Sequence, residues 1–348
     1  MKGSSSISKW PRRHAVLACV LIWSVALSPA WAWNAKGHRV IASLAFRQLS
    51  AAQQSKIAAL LERHPRFTED FADPMPDDVR GADSASRREW SFQQAAVWPD
   101  LVRSGPPEKR AFNRGEWHYV NVPHFLSDAA RHELDGKLLI NLATDVPPEA
   151  TLETAPLNIV QTIRFARQIV ADQQTSPADR AVMLAWLFHT VGDIHQPLHS
   201  TALFSARLFP AGDRGGNSVK TLQSGNLHAL WDQFPGQSDS FREARNQALE
   251  KTVDSRLAAI GTEAATTLDE QLWLKESHAL AQSRVYTEEV LSALRNMESA
   301  GNRESAGNTV QPIDLSQEYL QAGGQVAEQR IVQAGYRLGA LLKSIAGE

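Results

Sequence analysis

The chain has 348 residues, with 36 Lys and Arg against 38 Asp and Glu, and a single cysteine. A formal charge of −2 argues against general duplex binding, which goes with a basic surface, and the lone Cys19 excludes a disulfide framework. Carboxylates that hold divalent cations are neutralised locally, so the acidic balance leaves metal-mediated contact with nucleic acid open.

At the N-terminus, Lys2, Lys9, Arg12 and Arg13 precede an apolar run, residues 15–27, and the small-residue ending Ala30-Trp31-Ala32. This order predicts a cleaved secretory signal over residues 1–32, too short for a bilayer span of ~20 residues. The run continues for eight residues past Cys19, which argues against lipid attachment there. Cleavage after Ala32 would leave residues 33–348 with Trp33 first. It would lower Lys and Arg from 36 to 32 against 38 acids, a charge near −6. The expected product is secreted or periplasmic, monomeric and without stable membrane association. The lack of an N-x-S/T sequon fits bacterial export.

Ser50-Ala51-Ala52-Gln53 reads as a capping box opening a helix to His64, with Ile57, Leu60 and Leu61 on one side. Trp117-His118-Tyr119-Val120 is the best strand candidate and is too short to build a sheet. Ile159, Ile163, Ala166 and Val170 recur at helical spacing. Ser176, Pro177 and Asp179 supply an N-cap, a first-turn proline and a first-turn acid for a helix to about Ile194, stopped by Pro197. A glycine-rich loop covers 201–225. Long periodic stretches occupy 241–260, 267–297 and 315–345, the last with Ile331, Leu338, Leu341 and Ile345 on one stripe. ESAGN occurs twice, at 298–302 and 304–308, and reads as an exposed linker. The fold class is mainly α, one helical domain over residues 33–348 with no evident boundary.

His189 and Asp193 are four apart on the helix opened by Ser176, so both project from one face. His228 and Asp232 repeat the spacing on a second probable helix. Imidazole plus carboxylate on rigid helices suits a dication such as zinc. His199 follows Pro197, where the chain has turned back toward the helix end. WPDLVR, with Asp100 and Arg103, and WHYVNVP, with His118, would each be an ordinary loop alone, as would His38. A chain starting at Trp33, however, offers a free amine and a carbonyl five residues before that imidazole, and an α-amine has a pKa of about 8.

Together Trp33-x4-His38, WPDLVR, WHYVNVP, HTVGDIHQPLH, GGN and NLHALWD resemble the zinc-dependent single-strand-specific nucleases of fungi, plants and bacteria, in the same order from Trp33 to Asp232. The resemblance implies a helical fold of the phospholipase C/nuclease type with three zinc ions in one cleft. It assigns one zinc to Asp100, His118, His189 and Asp193, and a second to His199, His228 and Asp232. The third takes the amine and carbonyl of Trp33 with His38, and shares Asp193. His195 matches a motif position that is not a ligand. The implied reaction is in-line hydrolysis of single-stranded DNA and RNA to 5′-phosphate ends, with removal of 3′-phosphates from nucleotides at the same centre. Asp100 would orient the attacking hydroxide and Arg103 clamp the phosphate. Tyr119 would be the base-stacking platform and Asn217 would shape the cleft. Asn121 stands where the family commonly has an acid, which leaves base preference open.

A three-zinc phospholipase C is the main rival, but those enzymes typically have glutamate at the position of Asp232 and a longer spacing before the first histidine. A non-catalytic zinc-binding protein would have no use for Arg103 or for an N-terminal metal position.

Overall fold

A computed structural model describes residues 33–153, 156–300 and 310–347. The predicted leader, the second ESAGN copy and the end of the first lie outside these residues. In chain order the helices are α1 (Ala35–Arg47), α2 (Ala51–Leu61), the single turn α3 (Asp77–Arg80), α4 (Ser84–Leu101), a second single turn α5 (Pro107–Arg110), α6 (Asp128–Leu134), α7 (Ile159–Ala171) and α8 (Pro177–Asp193). There follow α9 (Leu227–Gln233), α10 (Phe241–Val253), α11 (Ser255–Ala264), α12 (Glu270–Leu280), α13 (Glu288–Ala300) and α14 (Gln317–Ala346). The only sheet among the described residues is a parallel pair, β1 (Val122–Phe125) and β2 (Thr201–Phe204), in register Val122 to Thr201. The fold is mainly α, as expected, and none of the described helices is long and apolar enough to cross a membrane.

Local chemistry explains most boundaries. Ser50 and Gln53 form both halves of the capping box, although α2 ends at Leu61, three residues short of the expected His64. Ser176 accepts from the Asp179 amide at 3.1 Å, and α8 runs to Asp193 as its start signal implies. Two long stretches are broken where one helix was expected. Asp254 ends α10 in extended geometry and its carboxylate caps α11 through the Leu257 amide at 3.0 Å. Tyr286 (φ −87°, ψ 62°) separates α12 and its π-helical extension from α13.

The helices enclose one large apolar cluster, in which Trp33, Trp98, Trp117 and Trp186 are fully buried, and a second built on Leu198, Leu227, Trp231 and Tyr286. Helix α1 packs on α4, α10 and α14, and α8 packs between α4 and α7. Among the candidate metal-binding residues, His118, His189 and Asp193 are next in sequence to members of the first cluster, and His199, His228 and Asp232 to members of the second.

Candidate metal centre

Four side-chain-capped helices carry most of the site. Asn34 caps α1, Asp83 caps α4, Ser176 caps α8 and Asn226 caps α9. His38 is in the first turns of α1, Asp100 in the last turn of α4, His189 and Asp193 at the end of α8, and His228 and Asp232 on α9. Thus α4 and α8 both present C-terminal turns, whose partial negative charge favours a cation. His38 and Asp100 are therefore helical, where loops were expected. The strand expected at Trp117-His118-Tyr119-Val120 is also corrected. Gly115–His118 forms a 3-10 turn, and pairing starts at Val122 because the Val120 and Val122 amides bond the carbonyls of His199 and Ser200.

Three groups of donors converge among the described residues: His38, His189 and Asp193; Asp100, His118 and His189; and His199, His228 and Asp232, with ligand atoms inside each group within 4.8 Å of one another. All eight residues are buried, none more than 4 % exposed. Asp193 joins the first two groups. Its Oδ1 is 3.2 Å from His38 Nε2, and its Oδ2 lies 3.0 Å from His118 Nδ1 and 3.2 Å from His189 Nε2. In the third group His199 Nε2 is 3.2 Å from His228 Nε2, which is 3.4 Å from Asp232 Oδ2.

The tautomers are set from outside. Nδ1 of His189 donates to the Ala96 carbonyl at 2.7 Å, that of His199 to the His118 carbonyl at 2.7 Å, and that of His228 to the Gly215 carbonyl at 2.6 Å. Each bond leaves the Nε2 lone pair facing inward, the form in which imidazole binds metal. His38 Nε2 and Asp193 Oδ1 are close, yet neither makes a hydrogen bond, and His118 Nε2 is also without one. Buried polar atoms left unpaired in this way are costly, and a cation among them removes the cost. Zinc fits this set of imidazoles and carboxylates.

Electrostatics agrees. Burial lowers the His38 and His199 imidazoles, and lowers His118 to about 3 with help from Arg103, so these rings are neutral. Burial also acts against a charged His189, but Asp193 and Asp100 outweigh it and raise that ring. Burial acts against a charged Asp193, but His189 outweighs it, with hydrogen bonds from His118 and His189, and holds that carboxyl well below the usual range. Burial pushes Asp232 well above that range, against a hydrogen bond from Gln196 at 2.8 Å. Apart from the imidazoles, one side-chain cation is in contact with these three carboxylates: Arg103 Nη2 is 2.9 Å from Asp100 Oδ1.

Arg103, Tyr119, Asn121 and Asn217 line a cleft of about 310 Å³ together with His118, His199 and His228. Asn217 donates to the Arg214 carbonyl at 2.8 Å and so shapes the loop wall. His195 faces away. Its Nδ1 donates to the Val191 carbonyl and its Nε2 accepts from Arg337 at 2.8 Å, while burial, then Arg330 and Arg337, keep it neutral.

Residues 33–347 match the family model described as S1/P1 Nuclease. The chain belongs to the S1/P1 nuclease family. The nuclease is 24% identical over 345 residues to Endonuclease 2 of Arabidopsis thaliana, covering 96% of this chain and 98% of that one. It is 23% identical over 348 residues to Endonuclease 3 of the same plant, covering 97% and 96%. It is 27% identical over 169 residues to Nuclease S1 of Aspergillus oryzae, 47% of this chain and 54% of that one. The family is zinc-dependent, in keeping with the three donor groups.

Two supports of this nuclease's site escaped the sequence reading. Gly192 lies next to Asp193, and a Cβ there would sit 2.7 Å from His38 Nδ1, so α8 has no side chain where α1 brings its imidazole. Asp213 is fully buried. It accepts from the Leu203 amide at 2.9 Å, from Tyr286 Oη at 2.7 Å and from the Gly215 and Gly216 amides; burial raises its carboxyl to about 6, with these bonds restraining the shift. It thereby holds Gly215 (φ 60°), whose carbonyl orients His228. The signal was an acid two residues before a glycine pair. Replacing Asp213 by Ala leaves several buried donors unpaired and is expected to cost about 3 kcal/mol of stability. Zinc titration followed by thermal melting should show the His199–His228–Asp232 position weakened; unchanged melting and zinc content would remove Asp213 from this role.

Proposed function

We propose that this nuclease is an exported three-zinc endonuclease that cuts single-stranded DNA and RNA to 5′-phosphate ends and also removes 3′-phosphates from nucleotides. The observation that carries the reading is the set of eight buried donors, of which His118, His199 and His228 line a narrow cleft together with Arg103, Arg214 and the exposed ring of Tyr119. Asp100, His118, His189 and Asp193 would hold one ion, and His199, His228 and Asp232 a second. The third would take His38, Asp193 and the amine and carbonyl of Trp33. Trp33 is buried, and the amide of the next residue, Asn34, donates to the Asp232 carbonyl at 3.2 Å, which keeps the N-terminal segment beside the site. Zinc bound here eases deprotonation of water, neutralises phosphate charge and stabilises a departing oxygen.

The chain's own groups supply orientation. Asp100 would help hold zinc and would accept a hydrogen bond from the attacking water, orienting it. Arg103, 19% exposed and bonded to that carboxylate, presents its remaining N–H groups to the non-bridging phosphate oxygens. The Tyr119 ring offers its face to an unpaired base. Asn121 lines the same cleft and meets a base edge with both a donor and an acceptor. A duplex keeps its bases stacked on one another and cannot place one on Tyr119.

The test is hydrolysis of single-stranded DNA, RNA, duplex DNA, a 3′-nucleotide and phosphatidylcholine by the processed protein, with and without chelator. Chelator-sensitive cleavage of the single strands and the 3′-nucleotide is expected, with products carrying 5′-phosphate. Cleavage of phosphatidylcholine without cleavage of nucleic acid would favour the phospholipase reading instead.

A further inference from the structure

A groove of about 680 Å³ lies beside the metal cleft, and the two share Tyr119 and Asn121. Val120, Leu157 and Phe204 are buried residues in its lining, and Leu138–Ile140 and Pro210 complete an apolar surface. Leu139 is fully exposed at its rim. Lys137 and Glu116 supply one charge of each sign.

The wall between groove and cleft is fixed from both sides. The Tyr119 carbonyl accepts from the Ile159 amide at the start of α7 at 3.2 Å, and the Val120 amide donates to the His199 carbonyl at 2.9 Å. Tyr119 follows His118 directly, so the groove begins one residue from the metal donors. On the cleft side the Tyr119 hydroxyl feels Arg103 and Arg214, and it also feels Glu116, which lines the groove.

We propose that this groove is a second base site, which takes the unpaired nucleotide adjacent to the one at the scissile phosphate, on the same strand. The inference rests on the single-strand reading above. The cleft and groove share Tyr119 and Asn121, so a strand whose phosphate lies at the metal donors reaches the groove by passing over Tyr119. The lining suits a base: largely apolar, without a dense cationic cluster that would select a phosphate alone. The asparagines deeper in the lining are already engaged, since Asn141 Nδ2 donates to Gln161 and Asn158 Nδ2 to the Asn141 and Ala143 carbonyls. Recognition there is therefore by contact with ring faces, tolerant of sequence, as in other single-strand binders.

The test compares kcat/KM on dinucleotides, trinucleotides and an octanucleotide with that on bis(p-nitrophenyl) phosphate, which is too small to reach the groove. Wild-type protein is compared with Leu139→Asp, which puts a like charge against the strand, and Ala211→Trp, which fills the groove. Both positions are exposed, so folding is not at stake, and melting temperature checks this. The expected result is a rise in wild-type kcat/KM with chain length that both variants lower about tenfold on the octanucleotide, with the small phosphodiester unaffected. Equal octanucleotide rates in wild type and variants, or an equal fall on both substrates, would overturn the second base site alone. A wild type that hydrolyses the small phosphodiester but no oligonucleotide would overturn the single-strand reading and this inference with it.

Discussion

Replacing Asp193 by Asn is expected to lower kcat/KM on a single-stranded oligonucleotide by about a thousandfold or more, about 4 kcal/mol of transition-state stabilisation. Asp193 is the one carboxylate whose oxygens approach four imidazoles, those of His38, His118, His189 and, at 3.9 Å, His199. An amide of nearly the same shape keeps the packing at the end of α8 but loses the charge. Its N–H groups then face rings that need an acceptor or a shared cation. Two of the proposed ion positions share this residue, so zinc content should fall with activity, and metal analysis reads the two effects together. A purely structural Asp193, balancing the charge of His189, predicts something else: an Asn variant with full zinc content and near-normal turnover. That result would remove Asp193 from the metal centre.

Retention of residues before Trp33 is expected to remove one zinc and lower kcat/KM about a hundredfold or more. A free α-amine has a lone pair that metal can take once its proton, with pKa of about 8, is displaced. The same nitrogen inside a peptide bond is delocalised into the carbonyl and binds zinc poorly. Geometry sharpens the expectation. Trp33 is fully buried, and the Cβ that Gly37 lacks would lie 2.7 Å from Trp33 Cβ, so the segment is packed closely against α1. The family match also begins at Trp33, the residue that the expected cleavage would expose. A chain carrying residues 1–32, or only Ala32, compared with one starting at Trp33, tests the point by zinc stoichiometry and kinetics. Full zinc content and full rate in the extended chain would take the N-terminus out of the site while leaving the other donors untouched.

His189, Asp193, His228 and Asp232 were legible because helical spacing places i and i+4 on one face whatever surrounds them, and α8 announces itself through Ser176 and Pro177. His38 and Asp100 were not legible as helical. Helix α4 is buried along most of its length, including Glu89, Gln93 and Gln94, so it shows no apolar stripe against a polar one, and Pro99 in its last turn reads as a stop. Helix α1 is likewise buried from Gly37 to Phe46. The breaks at Asp254 and Tyr286 were hidden for the opposite reason, since apolar periodicity continues through a change of axis that packing imposes. Asp213 and Gly192 escaped because neither belongs to a recognisable pair; Asp213 matters through the Gly215 loop that it holds, and Gly192 through the His38 ring that it admits.

The four-residue parallel ribbon has a consequence beyond its size. It joins the segment after His118 to the segment after His199, in the register Val122 to Thr201, while the His199 imidazole donates back to the His118 carbonyl. The ribbon thus works as a spacer gauge between two donor groups that belong to different parts of the chain. A shift by one residue would turn every side chain of a strand to the other face and carry His118 out of step with His199. Length changes in this protein are therefore intolerable in the three residues between His118 and Val122.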